Sequence, residues 1–305
     1  MRKEKQTLSA RLTWKRYRVF YIMLLPIVAY FIVFSYYPVY LGVVSSFQES
    51  KLMGGGVFVG LENYQGVFSN PLYFQALVNS LIVGIGNFVV QFVAGLLLAL
   101  ALNEAFSRQF RSMVQSVAYL PDLFSWAIVG SMWMKILAPT GMANGVLRLL
   151  SPDSFMPIVF MAESKFARTI MILTSGWKGT GYYAVLFLAA IVSIDPSIYE
   201  AAAIDGASRL RQIREVTLNN IVPTMKVVIV LGTMGLLRNF DQIFVMQNSN
   251  IINKVRNLLF QIYTDGILKF KIGTATAAAT LVLLATMLIS VIIRRITRYD
   301  ETYND

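Results

Sequence analysis

Six stretches of this chain are too apolar, for too long, to be ordinary pieces of a water-soluble core. A helix needs about 20 predominantly apolar residues to cross the hydrocarbon of a bilayer. Runs of that kind fall at about Val19–Val44, Phe74–Leu102, Met113–Ile136, Ile170–Val192, Ile221–Met246 and Ile272–Ile293. They predict an all-α integral membrane protein with about six transmembrane helices. The first run is too long for a cleavable signal and no small-residue cleavage site follows it, so it reads as a retained anchor. Composition agrees: 56% of residues are hydrophobic, mean hydropathy is +0.59, and 14% are charged, against about 25% in a typical soluble domain.

The chain has no cysteine and no histidine. Disulfides, thiolate nucleophiles, imidazole bases and the usual zinc sites are therefore excluded. The formal charge of +11 would suggest nucleic acid on a soluble protein. Here the basic residues sit at the ends of apolar runs, where they orient helices in the bilayer. They are densest in the N-terminal tail (Arg2, Lys3, Lys5, Arg11, Lys15, Arg16, Arg18), after the second run (Arg108, Arg111), after the fourth (Arg209, Arg211, Arg214) and in the C-terminal tail (Arg294, Arg295, Arg298). That pattern predicts both termini and the 194–219 loop on the cytoplasmic side. Lys254, Arg256, Lys269 and Lys271 fall on the outer side and dilute the bias. The expected division is a basic tail over 1–18, a six-helix domain over 19–293 with a cytoplasmic loop at 195–219, and a short tail over 294–305.

The outer segments hold turn material: Gly54-Gly55-Gly56, Asn70-Pro71, Pro139-Thr140-Gly141 and Ser151-Pro152-Asp153. None is long enough for a separate domain. Small residues at Ser80, Gly84 and Gly273 through Thr280 suit close helix contacts in lipid.

The loop between the fourth and fifth runs carries the most specific pattern, Asp195 to Pro223. Asp195 suits a helix cap and Pro196 its first turn. Gly206 allows the left-handed conformation that ends a helix. Ser208 suits the cap of a second short helix, Arg209 to Leu218. Two short helices around a glycine turn predict a knob that docks into a partner's groove.

This segment resembles the signature loop of the permease subunits of ABC importers. Glu200, Ala201, Ala202 and Gly206 match the family's Glu-Ala-Ala and glycine, and Val216 and Leu218 its later apolar positions. Asn219 stands where the family usually has proline, and Pro223 where a second proline often lies. The resemblance extends over most of the chain. Phe58-Val59-Gly60-Leu61-Glu62-Asn63-Tyr64, Tyr119-Leu120-Pro121, Phe240-Asp241-Gln242-Ile243-Phe244, and Ile262-Tyr263 with Phe270 and Gly273 look like carbohydrate permeases similar to the maltose type, in the subgroup for larger saccharides. It implies a type I importer permease fold in the bacterial cytoplasmic membrane. It also implies that Glu200, Ala201, Ala202, Ala203 and Gly206 couple the chain to an ATPase.

No phosphate-binding Gly-x-x-x-x-Gly-Lys-Ser/Thr loop occurs. The chain is therefore expected to bind no cofactor, with ATP and Mg on partner subunits. The implied assembly holds a second permease (a related chain or another copy), two ATP-binding subunits and an extracellular solute-binding protein. Sugar or oligosaccharide is the cargo, and neither enzymatic activity nor nucleic-acid binding is expected.

Polar groups within apolar runs are costly and usually face the bundle interior. Asn79, Asn87, Gln91, Gln115, Asp122, Lys178, Arg238, Asn239, Asp241 and Gln242 are of this kind. Arg238 and Asp241 are spaced to pair on one helix face. Sugars present hydroxyls and apolar faces, so their path should mix polar groups with rings. Asn87, Gln91, Asp122, Trp177, Asn239 and Asp241 are the candidates for it. The competing readings are a permease for another solute, a membrane-embedded transferase, and a channel or ion-coupled carrier.

Overall fold

In the computed structural model of the chain, residues 10–49, 56–105, 107–150 and 155–297 are described. Arg2, Lys3, Lys5, Arg298, the Gly54-Gly55 pair and Ser151-Pro152-Asp153 lie outside the described residues. α1 runs over Ala10–Phe31, through a stretch of wider turns at Ile32–Tyr36, to Tyr37–Ser46. A two-residue ribbon, β1 (Gln48–Glu49) and β2 (Val57–Phe58), pairs antiparallel beyond it. Then follow α2 (Glu62–Ser69), α3 (Pro71–Asn103), α4 (Arg108–Leu123), α5 (Trp126–Ile136), α6 (Met142–Leu150) and α7 (Ser164–Val192). The remainder is α8 (Pro196–Ile204), α9 (Arg209–Gly235), α10 (Asp241–Met246), α11 (Ile252–Val255), α12 (Leu258–Leu268) and α13 (Ile272–Ile296).

Four helices are long and apolar enough to cross a membrane alone: Tyr17–Ser46 of α1, α3, α9 and α13. α7 joins them when taken with α8, from which it is bent by 69°. The expected third run is split instead of continuous. Pro121 lies in the last turn of α4 and offers no N–H to it. Phe124 and Ser125 are extended, and the helix restarts as α5 at Trp126. The expected fifth run is also broken. α9 stops at Gly235, Leu236–Phe240 turns irregularly, and α10 resumes at Asp241. Non-helical backbone at membrane depth persists only where protein satisfies it. Here the Asn257 amide donates to the Asn239 carbonyl.

Close approach of small residues holds the bundle together, because lipid gives apolar side chains no reason to leave it. α3 and α7 lie against each other over their length; a Cβ at Gly95 would stand 2.5 Å from Cβ of Tyr183. α4 meets α7 where a Cβ at Gly181 would collide with the Ala118 carbonyl. The Ser80 hydroxyl accepts from the Leu258 N–H at 2.9 Å, and Ala275, Ala277 and Ala278 of α13 are buried. The Tyr17–Leu41 stretch of α1 stands apart from this core with its apolar residues exposed, while the last turns of the helix pack on α13. The last turn of α1 is clamped by α2, whose Asn63 amide donates to the Ser46 and Gln48 carbonyls at 3.0 and 2.9 Å.

Candidate functional site

Two places stand out, one at the α8 end of the bundle and one midway along it. At the first, the Asp195 carboxylate accepts the Ser197 N–H at 2.9 Å, with Pro196 in the first turn. That bond holds the Asp195 carboxyl below its ordinary range. α8 ends in a Schellman turn: the Gly206 N–H donates to Ala203 O (3.1 Å) and the Ala207 N–H to Ala202 O (2.9 Å). Gly206 has φ +73°, and a Cβ there would touch nothing. Its requirement is conformational, not one of space.

The expected second short helix is absent as a separate element. Arg209 through Thr217 are the first turns of the long helix α9, and the Ser208 side chain makes no cap bond. The reason lies in the sequence: no glycine interrupts 207–231, and Pro223 falls well inside α9. The knob is therefore one short helix folded back on the foot of a long one. Tyr199 Oη and Thr217 Oγ1 lie 3.0 Å apart, and the Gln212 amide donates to Ala207 O at 3.1 Å. Glu200, Ala201 and Ala203 are exposed and Ala202 half-buried. Ile204 and Leu210 stand out at 86% and 76% exposure.

Midway along the bundle the break between α4 and α5 forms a polar cluster. Lys178 of α7 is buried and donates to the Asp122 carbonyl at 2.8 Å, with the Asp122 carboxylate at 3.5 Å. The lysine thereby caps the open carbonyl end of α4 as well as pairing with a charge. Its ammonium lies 5.8 Å from the Trp126 ring centre. Trp133 and Trp177 meet edge to face at 5.6 Å, and Trp177 and Tyr182 are exposed. Asp122 and Trp177, both sequence candidates, thus belong to one neighbourhood joined through Lys178.

The other candidates go elsewhere. Gln91 bridges α3 and α7, donating to Ser175 O and Oγ at 2.9 and 3.0 Å. Asn87, on the same helix, is buried, and its Oδ1 has no partner among the described residues. Asn239 lies in the α9–α10 break and donates to Gln242 Oε1 at 2.8 Å; Gln242 in turn donates to Met171 O and Thr174 Oγ1. That chain fastens the break to α7. Asp241 is exposed at the start of α10. The expected Arg238–Asp241 ion pair is not among those of the described residues. The sequence spacing puts both residues on one helix, but Arg238 sits in the irregular stretch, so the spacing that would align them is lost.

Sequence reasoning missed the role of Lys178 as the partner of Asp122 and the anchoring role of Gln242. It also missed Arg168, which donates to Asn79 Oδ1 at 2.8 Å, while the Asn79 amide holds the Asn253 and Arg256 carbonyls. Pro121 was the signal that could have marked the α4–α5 break.

Residues 91–299 match the family model described as binding-protein-dependent transport system inner membrane component. The polygalacturonan/rhamnogalacturonan transport system permease protein YteP of Bacillus subtilis (strain 168) is 31% identical over 281 residues, covering 90% of this chain and 86% of that protein. The arabinooligosaccharides transport system permease protein AraP of the same organism is 30% identical over 276 residues, covering 89% and 86%. Among solved structures, a chain of a bacterial alginate ABC transporter in complex with an alginate pentasaccharide-bound periplasmic protein superposes with a TM-score of 0.85. It is 28% identical, with 94% of this chain and 96% of that one covered.

Proposed function

The chain belongs to the family of binding-protein-dependent transport system inner membrane components, the permeases of ABC importers, and from that premise we propose that its cargo is a sugar or oligosaccharide. It is a multi-pass inner-membrane protein, and ATP hydrolysis is the work of separate subunits. The observation that carries the mechanism is the knob: an exposed short helix, ended by a Schellman turn and tied to the foot of a helix that enters the membrane.

In this reading the knob faces the cytoplasm and seats in an ATP-binding subunit. Glu200, Ala201, Ala202 and Ala203 line the contact, and Gly206 sets the angle of the fold-back. Ile204 and Leu210, exposed among the described residues, add apolar area that the partner covers. Closing of two ATP-loaded subunits pulls on α8, and the Tyr199–Thr217 tie hands the motion to α9. The bundle, paired with a second permease, then opens alternately outward, to a solute-binding protein, and inward. Asp122 offers a carboxylate to sugar hydroxyls, and the exposed Trp177 a ring face. The names of relatives that carry polygalacturonan, arabinooligosaccharides and alginate support a saccharide over other solutes.

The test is ATP-dependent saccharide uptake by the reconstituted complex with its binding protein. Ala201→Arg, which puts a long charge on the exposed face of α8, is expected to leave the chain in the membrane but abolish its co-purification with the ATPase. An ATPase still bound and still stimulated in that variant would refute the assignment.

A further inference from the structure

α4, the first part of the split third run, carries a pattern that the break at its end does not explain. Arg108, Ser112, Gln115, Tyr119 and Asp122 follow one another at alternating four- and three-residue spacing, so they form one stripe along the helix. At 1.5 Å per residue the stripe is about 21 Å long. It starts at the α8 end of the bundle and finishes at Asp122 under Lys178. Gln109 and Ser116 widen it on one side. The opposite face reads Phe110, Met113, Val117 and Leu120, all exposed and all apolar.

α4 packs on α7 along one edge of the stripe, at Ala118 and Tyr119, which leaves Gln115, Tyr119 and Asp122 half-buried; Ser112 and Ser116 and the whole apolar face are exposed and meet something outside the chain. The apolar face suits lipid. The polar face does not, because side chains of this kind in hydrocarbon are costly and turn toward water or protein. A recess of about 440 Å³, lined by Ala105, Arg108, Arg111, Ser112 and Gln115, opens on its lower half. Gln115 makes none of the described side-chain hydrogen bonds, and neither does Tyr119. A further seam against another helix would favour small or apolar residues on the exposed part, as at Gly84 and Gly95.

We propose that this stripe is one wall of the water-filled inner half of the transport path, leading from the Asp122–Lys178 cluster to the cytoplasm past Gln115, Ser112 and Arg108. The proposal rests on the reading of the chain as a saccharide permease with α8 on the inner side. The stripe supplies what a released sugar exchanges hydrogen bonds with: an amide, hydroxyls and a phenol. The guanidinium of Arg108 stands at the exit.

The absence of native cysteine makes the test direct. Single substitutions Ser112→Cys, Gln115→Cys and Tyr119→Cys sample the stripe; Met113→Cys, Val117→Cys and Leu120→Cys sample the other face. The tagged chain is examined in the whole transporter complex, in inside-out vesicles, with a membrane-impermeant thiol reagent. Reaction needs water and the thiolate, which an apolar setting suppresses. The stripe set is expected to react at least about tenfold faster than the other set, a factor equal to one unit of thiol pKa. Loaded binding protein with nucleotide should change the stripe rates and leave the others alone. Two sets equally slow would overturn the proposal and place the face against a second protein helix. Six positions keep the test alive if one variant fails to assemble. Saccharide uptake is measured separately: a periodic pattern without uptake would fault the cargo and uphold the stripe.

Discussion

At the knob, the side-chain and capping bonds that set the shape join residues no more than 18 positions apart; the longest is Tyr199 to Thr217. At the α4–α5 break, Lys178 reaches Asp122 across 56 positions. The knob is thus made by a cap, a proline and a left-handed glycine, and needs little of the bundle to hold its form. The mid-membrane cluster exists only once α4, α5 and α7 have assembled. An element that must present the same face to a partner while the bundle moves gains from the first kind of construction. A site that must change as the helices shift gains from the second.

The sharpest way to break this contrast is Gly206→Pro. Proline holds φ near −65° and has no N–H, so it can neither take the +73° of this turn nor donate to Ala203 O. A misplaced proline of this kind costs about 3 kcal/mol or more, which corresponds to about a hundredfold loss of the seated knob. The chain should remain in the membrane while ATPase stimulation by loaded binding protein disappears. Gly206→Ala should do less, because the open space accepts a methyl and only the left-handed penalty of about 1–2 kcal/mol applies. Equal behaviour of the two variants would show that the turn's conformation is not what matters.

The cluster is tested through the unequal burial of its partners. The Lys178 side chain is 11% exposed and that of Asp122 33%. Asp122→Ala leaves the more buried charge with only a backbone carbonyl, a loss of about 1–3 kcal/mol on the scale of a deserted buried group. Lys178→Met leaves a carboxylate that water already reaches, so it should cost less. The double variant should unfold nearer to the wild-type temperature than the sum of the two predicts. Thermal unfolding of the purified complex checks the order, and additive losses would mean that the two groups do not interact.

The same contrast explains what could be read in advance. Asp195, Pro196 and Gly206 are local signals, and the structure uses them as they read. The break after Pro121 was hidden because Leu123, Phe124 and Trp126 to Ile136 keep the run apolar, whereas after Gly235 hydropathy does fall, at Arg238, Asn239, Asp241 and Gln242, and that dip reads equally as polar groups on the inner face of one continuous helix. The separate second knob helix was wrong for a related reason. A cap at Ser208 is a local possibility, but nothing after it stops the helix, and it runs on into the membrane as α9. Pairings such as Lys178–Asp122 and Arg168–Asn79 lie between elements whose neighbourhood no single sequence displays.

The transmission step sits between the two regions, and Tyr199→Phe sharpens it. Phenylalanine keeps the packing of α8 on α9 and removes only the bond to Thr217. A bond of this class contributes about 0.5–1.5 kcal/mol, so coupling should fall by about two- to tenfold. Basal ATP hydrolysis should persist while saccharide moved per ATP declines. A normal transport ratio would show that α8 moves with α9 through packing alone.

The smallest expected effect belongs to Gln91, which looks from sequence like a path residue and in the structure is committed elsewhere. Both described bonds of its amide go to Ser175, and its side chain lies over Gly179, where a Cβ would stand 2.6 Å from Gln91 Cδ. Interhelical bonds of this kind in membranes average about 0.6 kcal/mol. Gln91→Leu should therefore lower the unfolding temperature slightly and leave the KM for saccharide unchanged. The α3–α7 seam has no room for a sugar, so a KM raised several-fold would mean that this seam opens during transport. The path would then run between α3 and α7, and the mid-membrane cluster would extend to a second pair of helices.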